Sequence, residues 1–381
     1  MKGFKNVKAY VRGEGIVRAD IGIENGRIAE INGASRIDEV LFDCGELLLV
    51  PGFLDTHIHG AGGADVMDGT RSALSVMSET LVKEGTTAFL ATTMTQSEDN
   101  MSAALSAVAD CASSAPCGAR ILGANSEGPF VSTEYAGAQP REYIVAPSVA
   151  LFDKLNAAAK GTIKIATVAP ENDVDFSLIE HLKKLGVISS VGHSAATESV
   201  VRDGIRRGLS RVTHTFNAQS ALRHREIGVA GSALLYDELY CELIADGIHV
   251  SPSAMRLLLK NKPHDKVVLI TDSMRAKGMP DGVYELGGQT VNVHGGKATL
   301  ADGTLAGSVL KMNIAVKNIA EKCGEDICAA LDLATYNPAA SIGIADEYGS
   351  IKIGCLADFT LLDDDFDVVM TAVDGRVVYV K

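Results

Sequence analysis

The chain has 381 residues, of which 46% are hydrophobic, and this is enough for a large buried core. Its 35 Lys and Arg against 48 Asp and Glu give a formal net charge of −13, which argues against nucleic acid or an anionic membrane as the main partner. An anionic small-molecule substrate is not excluded, because a local cationic pocket can lie on an acidic protein.

The first residues, MKGFKNVKAYVRGEG, lack the apolar run of a signal peptide. Elsewhere no run approaches the ~18 apolar residues of a transmembrane helix. The seven cysteines include no CxxC pair, which is typical of reduced and mostly buried thiols. We therefore expect a cytoplasmic protein.

Both ends of the chain are predicted to be rich in β-strand, with strand-like runs around the turn dipeptide Asn25-Gly26 near the start. Between the ends, amphipathic helical stretches alternate with short apolar runs at 47–55, 86–94, 120–127, 162–170, 186–194, 211–217, 241–247 and 266–273. This alternation predicts an α/β fold, a (β/α)8 TIM barrel over residues 51–344. Residues 1–50 and 345–381 are expected to form a small β-sandwich domain, and the Gly-rich segment 278–307 a hairpin insertion over the barrel mouth.

Polar side chains fall where the predicted barrel strands end, and barrel enzymes carry their chemistry there. They are His57 and His59 on the first strand, Glu127 on the third, His193 on the fifth, His214 on the sixth and Asp272 on the eighth. Alternate residues of a strand share a face, so His57 and His59 should project together. Imidazoles with a carboxylate suit zinc or ferrous iron.

Each of these residues also has a structural interpretation when it is taken alone. His57 and His59 could be a hydrogen-bonded pair, the other histidines could be core residues, and Glu127 and Asp272 could cap backbone amides. All of these interpretations would have to hold together at five strand ends of one barrel. A divalent metal site is therefore the preferred hypothesis.

The ordered motifs PGFLDTHIHG, EGPF, GHS, HTFNA, HREIG, ADGIHV, TDSM and LAGS resemble the amidohydrolase superfamily. Within it, EGPF together with HTFNA and ADGIHV is similar to the N-acetylglucosamine-6-phosphate deacetylases. The resemblance implies hydrolysis of the acetamide of N-acetylglucosamine 6-phosphate to glucosamine 6-phosphate and acetate, in amino-sugar catabolism. It runs from about residue 47 to the closing KIGCLADFTLLD and is taken to cover the barrel and both halves of the β-sandwich.

The resemblance also implies roles for the polar residues. Glu127, His193 and His214 would bind the principal metal, and His57 with His59 would build a second position that Glu127 bridges. One or two ions per subunit are therefore open. Asp272 would be the catalytic base and then the acid. Many cyclic-amide hydrolases of the superfamily use a carboxylated lysine on the fourth strand, but Lys164 lies too early in its strand for that role.

Substrate contacts follow from the same resemblance. Arg225 and His249 are the phosphate candidates, with backbone amides around Asn217 and Ala218 completing the cradle. The family's equivalent of His249 is expected to reach the phosphate bound by the neighbouring subunit, which implies a homodimer with a shared site. The acetyl pocket would be lined by Leu305, Ala306 and Gly307.

Two residues depart from the family pattern near the expected substrate. After Ala138 stands Gln139, where a histidine that polarises the substrate carbonyl is usual, and Gln219 replaces a usual methionine. A deacetylase of N-acetylgalactosamine 6-phosphate, or another N-acyl or cyclic-amide amidohydrolase, therefore stays open. A non-catalytic scaffold is disfavoured because all five ligand candidates and Asp272 are present.

Overall fold

The centre of the molecule is a barrel of eight parallel strands, each paired with the next one along the chain. The structure is a computed structural model that describes residues 1–33 and 36–381. In order, the first to eighth barrel strands are Phe53–Ile58, Thr86–Thr93, Arg120–Ser126, Ile163–Val168, Ile188–Val191, Leu209–Val212, Tyr240–Ile244 and Val267–Ile270. Just beyond the eighth strand, the backbone N–H of Asp272 donates to the carbonyl oxygen of His57 at 2.9 Å. The barrel is thus nearly closed, and the expected fold is confirmed.

Helices cover the outside of the barrel and follow most of its strands. They are Arg71–Leu81, Glu98–Ala112, Val149–Ala158, Ser177–Leu185, Glu198–Arg207, Gly228–Leu235, Pro252–Asn261, Met312–Asn318, Ile327–Asp332 and Tyr336–Ser341. A π-helical turn, Ile319–Cys323, extends the eighth of these, and 3-10 turns span Val66–Asp68, Val82–Glu84, Arg141–Tyr143, Pro170–Asn172, Val174–Phe176 and His264–Lys266. In the described ranges, none of the helices combines the length and apolar character needed to span a bilayer.

The spacing of apolar residues in the helix Ser177–Leu185 illustrates how a helix packs on the barrel. Ser177–Leu185 buries Leu178, Ile179 and Leu182, which share one helical face, and Gly186 ends it in the left-handed region at φ 71°. The barrel strands need no such alternation, because helices cover one face and the barrel interior the other. Thr86–Thr93 is accordingly buried at every position.

Strands from both ends of the chain join in one sheet of eight strands. These are Lys2–Val11, Gly15–Glu24, Arg27–Ile31, Glu39–Val40, Leu48–Pro51, Phe359–Leu362, Val368–Val373 and Arg376–Val380. They pack on a separate apolar core that includes Phe4, Ile21 and Phe359. The small β domain from both termini is present, while the predicted division at residues 50 and 345 stays a prediction.

The expected strand at 47–55 is in fact two strands that belong to different sheets. Leu48–Pro51 pairs with the terminal strands, and Phe53–Ile58 begins the barrel. Gly52 lies between them, and a Cβ there would come within 2.1 Å of the Thr87 hydroxyl oxygen. The chain needs a glycine where it passes from one sheet to the other, because any larger residue would clash with Thr87.

A three-stranded antiparallel sheet, Gly282–Leu286, Gln289–His294 and Lys297–Thr299, lies within the segment predicted to be a hairpin insertion. Its own small core includes Leu286, Val291 and Ala306, packed with Met94 and Met274 of the barrel loops. A two-stranded pair, Gly60–Ala61 with Ala64–Asp65, follows the first barrel strand. Both elements flank the carboxyl ends of the barrel strands.

Candidate active site

The polar residues predicted at the strand ends lie together at the carboxyl ends of the barrel strands. His57 is inside the first barrel strand, and Glu127 directly follows the third. His193 and Asp272 each stand two residues beyond the fifth and the eighth. His214 likewise stands two residues beyond its strand: the sixth strand was expected to carry it but ends at Val212, so His214 lies in the turn that follows.

Three of these residues have left-handed backbone conformations. The φ angles are 47° for His193, 28° for His214 and 48° for Asp272. Side-chain-bearing residues adopt positive φ in only a few per cent of cases, and such residues cluster at functional sites. The chain leaves each of these strands through a sharp turn, which directs the three side chains into one small volume.

Two sets of three donors share the carboxylate of Glu127: His57, His59 and Glu127 form one set, and Glu127, His193 and His214 form the other. Within each set the donor atoms lie within 4.8 Å of one another. Glu127 Oε1 is 3.2 Å from His193 Nε2 and 2.9 Å from His214 Nε2, while Oε2 is 3.2 Å from His59 Nε2. All of these side chains are buried.

The outer ring nitrogens fix which inner atoms carry lone pairs. His59 Nδ1 is 3.2 Å from the carbonyl oxygen of Thr92, and His193 Nδ1 is 2.9 Å from that of Tyr135. A carbonyl oxygen only accepts hydrogen bonds, so each Nδ1 carries a proton, and whenever the ring is neutral its Nε2 directs a lone pair inward. His57 Nε2 is buried with no hydrogen-bond partner among the described residues. Converging lone pairs and a carboxylate fit a divalent cation.

The electrostatics of the site also favour positive charge at its centre. Burial lowers the pKa of His59, but its contacts with Asp272 and Glu127 raise that pKa well above the ordinary value. Burial raises the pKa of Glu127, yet with protonated histidines and no cation at the centre, the charge of His57 and the close imidazoles of His193, His214 and His59 bring that pKa well below the usual range. Burial also raises the pKa of Asp272, but His57 and His59 lower that pKa below its ordinary value. Both carboxylates are therefore ionised.

Gln139 contacts the shared carboxylate directly. Its Oε1 accepts the backbone N–H of Thr95 at 2.8 Å, so its Nε2 must face the other way, and it donates to Glu127 Oε2 at 2.6 Å. The side chain is 3% exposed and lines the pocket above the donors. Gln219 contrasts with it, since neither of its amide atoms has a hydrogen-bond partner among the described residues.

A cavity of about 340 Å³ opens above the donors, and this volume suits a small molecule. Predicted site residues in its wall are His59, Glu127, Ala138, Gln139, His193, His214, Asn217, Ala218, His249, Asp272, Leu305 and Gly307. Gly307 takes φ 63°, and a Cβ there would lie 3.1 Å from the carbonyl oxygen of Asp272. A side chain at this position would therefore crowd the backbone of Asp272, and the contact of Gly307 with the acetyl group stays a prediction.

We call Asn217, Ala218, Arg225 and His249 the phosphate side, after their predicted role. His249 lines the pocket of its own chain, where Asp246 Oδ2 is 2.6 Å from its Nδ1. Arg225 lies in the loop before Gly228–Leu235, is exposed, and does not line that pocket. Asp246 thus orients the His249 ring in the chain's own pocket, and the expectation that His249 reaches the phosphate of a neighbouring subunit stays a prediction.

Ala306 is also absent from the pocket wall. It is fully buried in the core of the three-stranded sheet, where its N–H donates to the carbonyl oxygen of Ala298. Lys164, the candidate excluded for a carboxylated lysine, is exposed near the start of the fourth strand. This agrees with Glu127 as the carboxylate shared by the donor sets.

Sequence reasoning missed a buried ion pair next to the donors. Glu242 Oε1 is 2.7 Å from Arg211 Nε, and Glu242 Oε2 is 2.9 Å from His57 Nδ1. Burial raises the pKa of Glu242, but Arg211 and His57 lower it to about 2. The available signal was a charged residue inside each of two short barrel strands, since charged side chains are almost never fully buried unless they are paired.

Comparison with known proteins agrees with this site. The Amidohydrolase family model matches residues 48–378. An N-acetylglucosamine-6-phosphate deacetylase of Bacillus subtilis strain 168 is 42% identical over 99% of this chain and 97% of its own length. An N-acetylgalactosamine-6-phosphate deacetylase of Escherichia coli O157:H7 is 37% identical over 86% of this chain and 87% of its own.

A solved structure matches the whole molecule. The crystal structure of N-acetylglucosamine-6-phosphate deacetylase from Pasteurella multocida superposes with a TM-score of 0.93 and 31% identity, covering 100% of both chains. The family match, the relatives and the converging donors agree with one another. The chain belongs to the amidohydrolase family and groups within it with the N-acetylglucosamine-6-phosphate deacetylases.

Proposed function

We propose that this protein hydrolyses the acetamide of N-acetylglucosamine 6-phosphate, with a divalent cation as cofactor, to glucosamine 6-phosphate and acetate. The observation that carries the proposal is the convergence of histidine Nε2 atoms, Glu127 and Asp272 on the floor of one pocket. The match to a deacetylase of this name along nearly the whole chain supports the substrate. The reaction belongs to amino-sugar catabolism.

Glu127, His193 and His214 would hold the principal ion, and His57 with His59 would hold a second one next to the shared Glu127. Imidazole and carboxylate donors suit zinc or ferrous iron, and one or two ions per subunit are compatible with the two overlapping sets. When bound, such a cation lowers the pKa of a coordinated water and polarises the acetamide carbonyl.

Asp272 moves the proton in this mechanism. Its Oδ1 lies 3.2 Å from His59 Nε2, and hydrogen bonds at its backbone N–H and carbonyl oxygen, to His57 and Ser308, hold it in place. It accepts a proton from the attacking water as the new C–O bond forms, and gives it to the amide nitrogen as the C–N bond breaks. The second transfer is needed because an amide nitrogen leaves poorly as an anion.

The remaining pocket residues orient the sugar phosphate. Asn217, Ala218 and His249 would bind the phosphate, and Leu305 and Gly307 would line the acetyl group. Gln139 holds Glu127 and leaves polarisation of the carbonyl to the cation. Ala138 lies beside it in the wall.

We further propose a homodimer that shares one site residue. Arg225 is exposed and outside the pocket of its own chain, so it suits a contact with the phosphate held by a partner subunit. Its planar guanidinium matches phosphate oxygens.

The seven cysteines are free thiols, which supports a reducing compartment and hence the cytoplasm.

A second substrate is favoured by the 37%-identical relative named for N-acetylgalactosamine 6-phosphate. The test is acetate release from N-acetylglucosamine 6-phosphate, its galacto epimer and its mannosamine isomer, each with and without phosphate. We expect the gluco phosphate to have the highest kcat/KM and the unphosphorylated sugars to react poorly. Equal rates with and without phosphate would contradict the assignment.

The same assay tests the cofactor. Chelation should abolish acetate release, and zinc or ferrous iron added back should restore it. Full activity in protein shown to contain no transition metal would contradict the metal-dependent mechanism.

A further inference from the structure

A fully buried arginine and glutamate lie directly beside the two donor sets. Arg211 is in the sixth barrel strand and Glu242 in the seventh, and both are 0% exposed. Their Nε–Oε1 distance is 2.7 Å. A buried ion pair is often no more stabilising than an apolar pair of similar volume, because both charges lose their hydration. Fold stability alone therefore does not account for it.

Glu242 contacts a member of each donor set through one oxygen. Its Oε2 lies 2.9 Å from His57 Nδ1 and accepts the backbone N–H of His214 at 3.0 Å. The backbone carbonyl oxygen of Glu242 also accepts the N–H of Thr215 at 2.9 Å. The same residue therefore reaches the ring of one donor and the turn that carries the other.

Arg211 fixes the position of that carboxylate. Its NH2 group donates to Thr56 Oγ1 at 2.5 Å, and its NH1 group donates to Ser341 Oγ at 2.7 Å. Thr56 precedes His57 in the first barrel strand, and Ser341 ends a helix from the far end of the barrel. Two segments distant in the chain, those of Thr56 and Ser341, thus hold the guanidinium and, through it, Glu242.

The chemistry of a ligating histidine gives this contact a role. Such a histidine usually donates its second ring N–H to a carboxylate, a carbonyl or water, which selects the tautomer and orients the ring. His59 and His193 use backbone carbonyls, but His57 faces a carboxylate. A carboxylate raises the basicity of the ring more than a neutral carbonyl does.

We propose that Glu242, held by Arg211, is a positioning residue common to both donor sets, so that it orients His57 for one cation and the turn of His214 for the other. The inference rests on the proposed metal-dependent function. It assigns a coupling role to two residues that contact neither the substrate nor the reacting atoms.

The test is zinc binding by the apoprotein, measured in competition with a chromophoric chelator. We expect Glu242→Gln and Glu242→Asp to weaken zinc binding by about 10- to 100-fold. The aspartate variant keeps the charge opposite Arg211 and so protects folding, while its shorter side chain withdraws from His57 and His214. Thermal unfolding identifies any variant that fails to fold.

A second buried ion pair supplies the matched control. Lys277 Nζ is 2.7 Å from Glu84 Oε1, both residues are at least 96% buried, and neither belongs to a donor set. Glu84→Gln also leaves a buried cation unpaired, so it should lower thermal stability. Zinc affinity should stay within about twofold of wild type, because distant sites without shared partners act nearly independently.

The His57→Ala background separates a shared role from a role through His57 alone. In that background, Glu242→Asp should weaken zinc binding further, because the contact with the His214 amide remains. No further effect would overturn the shared role, and wild-type zinc affinity in folded Glu242→Asp would overturn the inference entirely. Because zinc binding is measured without substrate, a wild-type protein that binds no zinc would instead overturn the proposed function.

Discussion

The pocket floor and the phosphate side are built in different ways. On the floor, Glu127, His193 and Asp272 each have several hydrogen-bond or ion-pair partners within the chain, and none is more than 8% exposed. On the phosphate side, His249 is held by Asp246, whereas Arg225 is exposed and has no hydrogen bond or ion pair among the described residues. The floor is complete within one chain, and the phosphate side is open.

The difference indicates which parts of the proposed site a single chain can hold in position by its own contacts. Closure of the barrel brings the strand ends together, so the chemical step of the proposed mechanism uses residues of one chain. In the proposed function, phosphate recognition involves Arg225, which has no hydrogen bond or ion pair among the described residues. Substitutions on the floor should therefore change kcat, and substitutions on the phosphate side should change KM and depend on the second subunit.

The largest effect is expected for Asp272→Asn. The amide cannot take up or return the proton, so kcat should fall by about 1,000-fold while zinc and substrate still bind. Steady-state kinetics and zinc titration measure both. Asp358→Asn is the matched control, because both aspartates are 8% exposed and burial raises the pKa of Asp358 to about 6, so an uncharged side chain suits that site. Near-normal kcat in Asp272→Asn would remove this residue from the mechanism.

An intermediate effect is expected for Arg225→Ala. Loss of a charged hydrogen-bond donor to phosphate should raise KM by about 10- to 100-fold with little change in kcat. Arg223→Ala, an exposed arginine of the same loop, should leave KM unchanged. If KM stays at the wild-type value in Arg225→Ala, this arginine does not bind the phosphate.

Mixing subunits sharpens the same comparison. Dimers of one Arg225→Ala chain and one Asp272→Asn chain contain one site with both residues intact if Arg225 acts across the interface. Acetate release should then exceed the sum of the two parents at low substrate. Activity equal to that sum would place Arg225 and Asp272 in the same subunit's site.

The smallest effect is expected for Gln139→Leu. It removes the hydrogen bond to Glu127 and should weaken zinc binding by about tenfold. Gln139→His keeps a donor and should recover most of the affinity. Gln219→Leu is the control, because that buried amide has no partner to lose among the described residues. Equal zinc affinity in Gln139→Leu and wild type would contradict a role for Gln139 at the floor.

Much of the fold and floor could be predicted from the sequence because strand ends in a parallel barrel meet at one mouth. That rule alone brought His57, Glu127 and Asp272 together. It could not show that His214 leaves its strand through a left-handed turn, nor that Gly52 divides one apolar run between two sheets. These features depend on contacts between distant segments, such as that of Gly52 with Thr87.

The same limit explains the residues that were missed or misplaced. Glu242 and Arg211 meet only because neighbouring strands pair, and neither forms a recognisable motif with His57. Ala306 shares a motif with Leu305 and Gly307, yet its side chain packs into the small sheet's core instead of lining the pocket. A motif fixes the path of the backbone better than the direction of each side chain.

The strand Leu48–Pro51 has a consequence for how the enzyme is made. It pairs with Lys2–Val11 on one side and with Phe359–Leu362 on the other, and it leads directly into the barrel strand that carries His57. On the ribosome, Phe359–Leu362 emerges after every strand of the barrel. The nascent chain therefore completes the support of the strand that leads to His57 only after all eight barrel strands have been synthesised.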